Sequence, residues 1–347
     1  MASDLSRVNP TLRLSLAAAM ELGLARGFFA RGARLHCVNL LQELPGGCRA
    51  NCAFCGLGRQ RLARRDSFIR VDWPRRAADE IIARLRAVQG RGVVQRVCLS
   101  MITHPQALDE AVALVERLRA EVAPPISVLV APTVLGHDGL TRLRRAGAER
   151  VGVAIDCATP ELFSRLRGPG VAGPHRWELY WDAYAWALAV FGPGLAGVHL
   201  IHGLGESERD LARAMQRARD MGGATHLFSF FPEAGSLLQD RPQPPLGGYR
   251  RAQLARWLID GDLAVEADFA YDDQGRIVGF GVGAAVIEAA LEGGQCFMTS
   301  GCPGQSVAVA CNRPFANERP SQPLRNFPFA PTPDDLALCR AQLVDYA

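Results

Sequence analysis

From residue 74 onward, short apolar runs rich in β-branched residues alternate with longer stretches in which apolar positions recur every three or four residues. The runs at 35–42 (LHCVNLLQ), 94–101 (VQRVCLSM), 126–131 (ISVLVA), 150–155 (RVGVAI), 197–202 (GVHLIH) and 225–231 (THLFSFF) predict strands. The stretches near 74–90, 106–121, 138–146, 175–190 and 207–221 predict helices. Ahead of them, LRLSLAAAMELGLA predicts an amphipathic helix in an N-terminal helical segment, 1–34. Repeated strand–helix units imply parallel strands joined by right-handed crossovers. Six such units, with two more expected after residue 245, favour an α/β fold of the (βα) barrel kind, partial or complete, over residues 35–292. A doubly wound sheet is the alternative. The Pro/Gly-rich stretch 232–248 predicts a loop beside the barrel mouth. Residues 293–347 lose the periodicity and read as an irregular C-terminal cysteine-containing extension.

With 48% apolar and 21% charged residues the chain can bury a substantial core. Its net charge of +4 is too mild to indicate a nucleic-acid binder. No run approaches the roughly 18 apolar residues of a membrane span. The opening apolar run is broken by Glu21 and lacks the charged start and cleavage site of a secretory signal. Ten cysteines are too sparse for a secreted disulfide scaffold, so the expected compartment is reducing cytoplasm, where clustered cysteines serve as ligands more often than as bridges. There is no lysine: all 39 basic residues are arginine, a bias that a GC-rich genome explains. Schiff-base chemistry and P-loop phosphate binding are excluded, since both need a lysine amine.

Three cysteines fall within eight positions of GGCRANCAFCGLGRQR (46–61), directly after the first predicted strand, where a barrel places its chemistry. Cys48, Cys52 and Cys55 have the spacing C-x3-C-x2-C. Thiolates at this density suit an iron–sulfur cluster or zinc. A structural zinc wants four ligands, usually as two separated pairs. Three thiolates on a cubane leave one iron open to substrate. Buried structural cysteines, or part of a zinc knuckle, are the plainer readings.

This loop, with Phe54 before its last cysteine, resembles the hallmark of the radical S-adenosylmethionine superfamily, whose fold is a partial or full (βα) barrel. The resemblance implies a 4Fe–4S cluster held by Cys48, Cys52 and Cys55 and coordinated with exchangeable S-adenosyl-L-methionine. Reductive cleavage of the sulfonium then gives methionine and a 5′-deoxyadenosyl radical that takes hydrogen from an unactivated C–H bond. It also implies cofactor contacts at Phe54, at Ser100 (in a segment that departs from the common Gly-Gly-Glu form), at Asp156 in VGVAIDCATPELF and at Glu206 in VHLIHGLGES. Read from the residues alone, Asp156 serves equally well as a helix N-cap and the Glu206 segment as an ordinary strand–turn–helix junction. No side chain is assigned as acid, base or nucleophile.

Cys296, Cys302 and Cys311 form a second group in a stretch with few apolar partners to pack them. A second, auxiliary 4Fe–4S cluster explains them; a zinc site and scattered free cysteines are the alternatives. The fourth ligand is open, with Ser300, Ser306 or a non-protein group as candidates. Cys98, Cys157 and Cys339 are assigned to packing, and Cys37 lies on the first strand. Within the superfamily the chain resembles the biotin synthase and lipoyl synthase group at CRANCAFCGL, IDCATPELF and LIHGLGE. It lacks the inner-strand thiols of ordinary biotin synthase, Cys98 apart, and the early cysteine set of ordinary lipoyl synthase. TSGCP…CNRPFANE resembles instead the biotin-synthase-related component of a two-protein lipoyl synthase. That resemblance implies sulfur insertion at carbon six or eight of an octanoyl chain, with the auxiliary cluster as sulfur source. The implied partners are an octanoylated lipoyl carrier domain, a paralogous radical enzyme and an electron donor such as ferredoxin or flavodoxin. Arg59, Arg61, Arg64 and Arg65 near the mouth offer a face to an acidic carrier, or simply a solvated basic face. Phe315, Phe327 and Phe329 serve an acyl tunnel or the core. The rival readings are another radical reaction class, such as a mutase or cofactor assembly, and a non-catalytic iron–sulfur or zinc scaffold.

Overall fold

A computed structural model describes residues 10–61, 67–68, 71–312 and 323–346. The chain enters with β1 (Thr11–Leu14), passes through the short helix α1 (Leu16–Glu21) and returns antiparallel as β2 (Cys37–Gln42). The N-terminal segment therefore contributes a strand where the apolar pattern predicts only helix. Ser15 makes the break, its Oγ accepting from the Ala18 N–H at 3.2 Å as the helix N-cap. β3 (Ser67–Phe68) and β4 (Val71–Asp72) pair with each other, and β5 (Arg75–Ala77) pairs with β1 ahead of α2 (Ala78–Val88).

The repeating part follows as β6 (Arg96–Ser100), α3 (Ala107–Glu121), β7 (Ile126–Val130), α4 (Gly139–Ala146), β8 (Ala148–Asp156), α5 (Pro160–Leu166), α6 (Trp177–Phe191), β9 (Ala196–His202), α7 (Glu208–Asp220), β10 (Ala224–Ser229) and α8 (Leu246–Asp260). Strand order is β10-β9-β8-β7-β6-β2-β1-β5, and the six strands from β10 to β2 are parallel. These strands are nearly continuous apolar runs because helices cover one face and the core fills the other. Among the described residues no strand joins β10 to β5, so the barrel is partial. Of the two further units expected after residue 245, α8 supplies a helix. The strands after it form a separate hairpin, β11 (Ala270–Tyr271) and β12 (Ile277–Gly279), because the intervening DDQGR offers no apolar run for a parallel sheet to bury. α9 (Ala284–Gly293) and α10 (Pro333–Leu343) complete the described helices.

The carboxyl ends of the six parallel strands make one rim. The opposite end is closed by the C-terminal extension. Arg96 Nε donates to Pro303 O at 2.5 Å, Gln95 Nε2 to Ser306 Oγ at 2.9 Å, and the open edge of β10 is met where Leu227 N donates to Ser300 Oγ at 3.1 Å. Among the described residues no helix is long and apolar enough to cross a membrane.

Candidate functional site

Where β2 ends, Gly46 and Gly47 take φ of 82° and 70°, a left-handed pair that glycine adopts without strain, and the turn brings Cys48 to the rim. Backbone bonds then pin the loop. Arg49 N donates to Thr103 O, Ala53 N to Leu166 O, and Leu238 N to Ala53 O, at 2.8, 2.8 and 3.0 Å. Buried Asn51 donates to Val171 O at 2.8 Å and Gln60 Oε1 at 2.9 Å. Arg61 is not on a solvated face. It is buried, ion-paired to Glu233 at 2.6 Å, and donates to the carbonyls of Gly56, Ser67 and Ala234. Arg59 is exposed and donates to Ala172 O at 2.8 Å; Arg64, Arg65 and Phe315 lie outside the described residues.

The three loop thiols are half-buried and close enough to act on one another. Burial pushes the Cys52 and Cys55 thiols up; at Cys52 the Arg167 guanidinium opposes this by its charge and a hydrogen bond. Leu57 N–H donates to Cys55 Sγ at 3.4 Å. Arg167 itself is buried on α5's exit, over the rings of Phe163 and Tyr180 at 5.1 and 4.7 Å. It donates to Ala154 O, to Ile155 O at 2.9 Å and to Tyr180 Oη at 3.4 Å, and pairs with Asp156 at 3.2 Å. Asp156 ends β8 at φ 63°, a left-handed conformation that costs a non-glycine residue roughly 1–3 kcal/mol and that the Arg167 contacts hold in place. Behind Tyr180, His175 Nδ1 lies 2.9 Å from the phenol and 2.7 Å from Thr133 Oγ1. Burial and the Arg167 charge lower this histidine to about 3, so it is neutral.

The structure brings Cys48, Cys52 and Cys55 together, with Arg167 beside Cys52 and paired to Asp156. The N-cap role that Asp156 competed for is filled by Thr159, whose Oγ1 accepts from Leu162 N at 3.3 Å. Phe54 is half-buried against the main core. Ser100 is buried at the end of β6, opposite Leu41 of β2. Glu206 closes its own turn after β9, its carboxylate accepting from Gly203 N and Leu204 N at 2.5 and 2.9 Å. Burial raises it to about 7 despite those donors. Arg167 is the residue sequence reasoning missed. It sits in RLRGPG, between the predicted strand 150–155 and the predicted helix 175–190, and only the return of α5 toward β8 gives it a task.

At the floor of the barrel the cysteines regroup. Cys37, Cys98 and Cys311 form one buried cluster with Cys302 packed against it. β2 and β6 pair Cys37 with Arg96 and Asn39 with Cys98, so both strand thiols face the interior. Cys296 is not brought to Cys302 and Cys311: it ends α9's connection, packs in the main core and donates to Ala290 O at 3.4 Å. Among the described residues no three His, Cys, Asp or Glu side chains form a preset cage for a single metal ion, at the rim or at the floor. The rim loop's donor set, three soft sulfurs with an N–H and a guanidinium directed at them, fits a cluster rather than an ion.

The Radical SAM superfamily domain matches residues 43–218, just over half of the chain. No curated protein matches it. Two solved structures of TsrM, a radical S-adenosylmethionine methyltransferase from Kitasatospora setae, are similar. The one with cobalamin and a 4Fe-4S cluster bound shares 16% identity at TM-score 0.39 over 60% of this chain and 39% of its own. The one with tryptophan substrate and the SAM analogue aza-SAM shares 14% at TM-score 0.42 over 82% and 57%. This chain thus spans less than two thirds of that enzyme's length. With the domain match running from the cysteine loop through the strand ends that surround it, the chain belongs to the radical SAM superfamily.

Proposed function

We infer that this radical SAM enzyme inserts sulfur into an unactivated C–H bond of a protein-bound octanoyl chain, as one component of a two-protein lipoyl synthase. The observation that carries the sulfur chemistry is the gathering of four thiols at the floor of the barrel whose rim holds the radical loop. Cys48, Cys52 and Cys55 would hold the 4Fe–4S cluster that, with S-adenosylmethionine, supplies a carbon-centred radical. The chain's own part is to fix that loop. Arg167 places a positive charge beside Cys52 and holds Asp156 at the rim, while the Arg61–Glu233 pair anchors the loop's exit. An octanoylated carrier domain, a paralogous partner and a ferredoxin or flavodoxin complete the reading.

A second reading, electron relay in another radical reaction, draws on the same floor: a cluster held by these four thiols and kept intact through turnover would pass electrons rather than sulfide. The deciding experiment gives anaerobically reconstituted, reduced enzyme S-adenosylmethionine and an octanoyl-lysine peptide. Mass spectrometry of the peptide and a 5′-deoxyadenosine assay are the readouts. Sulfur gain, with one deoxyadenosine per new C–S bond, is expected. Deoxyadenosine without any sulfur in the peptide refutes sulfur insertion and favours the relay.

A further inference from the structure

Cys37 and Cys98 come from adjacent strands 61 residues apart, and Cys302 and Cys311 from an irregular segment that folds back under both. Chance packing does not explain the fit of that segment. Gly301 lies so close to Cys311 that a Cβ there would sit 1.8 Å from the Cys311 carbonyl oxygen, and Ala310 N and Cys311 N both donate to Cys302 O, at 2.9 and 3.0 Å. The turn holds the two thiols together against the sheet. Asn39 shares the interior face of β2 with Cys37, and its amide N–H groups reach Cys37 Sγ at 3.8 Å and Cys311 Sγ at 3.7 Å. Its Oδ1 is buried with no partner. Asn39 therefore turns its donor end toward two sulfurs and leaves its acceptor buried. Arg96 is buried beside them and supplies the positive charge, with its guanidinium on Ser127, Pro303 and Glu149.

We propose that Cys37, Cys98, Cys302 and Cys311 hold a second iron–sulfur cluster at the end of the barrel opposite the radical loop. Zinc fits less well. A single zinc needs four sulfurs about 2.3 Å from one point and usually takes them from closely spaced pairs. These four thiols form no such pair, and no three already surround a single point. A cluster presents its irons to thiolates around its periphery, so it asks for no point that all four sulfurs share. Four thiolates ligate four metal corners, so the site is closed by protein alone and Cys296 has no place in it. The proposal deepens the sulfur-insertion reading, because it names the group that would carry sulfide, yet its test does not depend on that reading.

The test uses the full chain with Cys48, Cys52 and Cys55 all replaced by alanine, so that the radical site cannot bind iron. After anaerobic reconstitution with ferrous iron and sulfide, the expected content is about four iron and four sulfide per chain, half of the roughly eight in wild type. Mössbauer spectroscopy should show the remaining iron as one tetrathiolate-ligated cluster. Adding Cys302→Ser and Cys311→Ser to that chain should remove the remaining iron, and adding Cys296→Ser should remove none. Both loop cysteines lie off the sheet, and circular dichroism with thermal unfolding verifies that the variants fold. Three results would overturn the proposal: a folded radical-loop variant that takes up no iron, one that isolates with zinc at the four thiols, or iron loss on Cys296→Ser. Failure of the octanoyl-peptide assay with a full iron count would sink only the sulfur-insertion reading.

Discussion

Replacing Arg167 by methionine while keeping Asp156 leaves a carboxylate 13% exposed with its cation gone; the guanidinium it loses is 6% exposed. Breaking a buried pair from one side costs about 3–5 kcal/mol, because the surviving charge stays desolvated. The same change strips the bonds to Ala154 O and Ile155 O and the stacking on Phe163 and Tyr180. A double-mutant cycle separates these terms. The carbonyl bonds and ring contacts vanish from Arg167→Met in either background and cancel, so the coupling reports the Asp156–Arg167 contact alone. Asp156→Asn keeps an acceptor for the guanidinium and should cost about 1–2 kcal/mol. The double variant should then be less damaged than the sum by about 2 kcal/mol, since no unpaired charge remains. Urea unfolding of the metal-free protein measures all four corners. Additivity within about 0.5 kcal/mol would refute the claim that Arg167 holds Asp156 at the rim through charge. Arg167→Lys should fall between, because an ammonium keeps the charge but cannot reach two carbonyls and a carboxylate together.

Glu206, raised to about 7 from an ordinary 4.5, binds its proton more tightly in the folded chain, so its contribution to stability is full below about pH 4.5 and is lost as pH rises through 7. Relative to Glu206→Gln, wild type should lose about 2 kcal/mol across that window, less than the whole shift implies because the residue is half-buried; parallel curves for the two proteins in pH-dependent urea unfolding would discard the assignment. Cys52→Ala should bring 5′-deoxyadenosine formation to background, whereas Cys302→Ala should leave it intact and stop sulfur transfer to the peptide; normal transfer by Cys302→Ala would remove the floor thiols from the chemistry. Gly301→Ala places a methyl against backbone that cannot yield, and should cost about 3 kcal/mol in thermal unfolding and halve the iron content while deoxyadenosine formation persists. Unchanged iron in that variant would show that the 301–311 turn does not set the thiols.

The parallel strands were readable because burial on both faces leaves a nearly continuous apolar run, as in ISVLV at Ile126–Val130, interrupted only by Ser127. β1 was not: four residues running straight into an alanine-rich stretch look like the start of one helix until Ser15 is seen to cap α1. The three-thiol loop stands out in the sequence because all three sulfurs lie within one turn-rich segment. The floor was half-readable. Cys302 and Cys311 stand out among glycines and prolines, while Cys37 and Cys98 look like any small apolar residue in a strand, and only the register of β2 on β6 shows that they share the interior. Arg167 left no local signal, since its partners come from β8, α5 and α6.

That register has a further consequence for how the two sulfur-rich ends divide the work. From Cys37 to Gln42 the chain rises five residues, about 16 Å at strand pitch, before the Gly46–Gly47 turn brings Cys48 to the rim. Cys98 sits higher than Cys37, level with Asn39 and two residues before Ser100 at the carboxyl end of β6, so the floor thiols span part of that rise. The interior beside the floor is nearly full: a cavity of about 20 Å³, room for a single water, lies between Cys98, Gly152 and the rings of His199, His226 and Phe228. Gly152 is part of the reason the rings fit, since a Cβ there would meet His199 Nε2 at 3.2 Å. Phe228 leans on His199 at 4.9 Å and is the bulky apolar group in the way. Any group that reaches the floor from the rim would have to displace these rings.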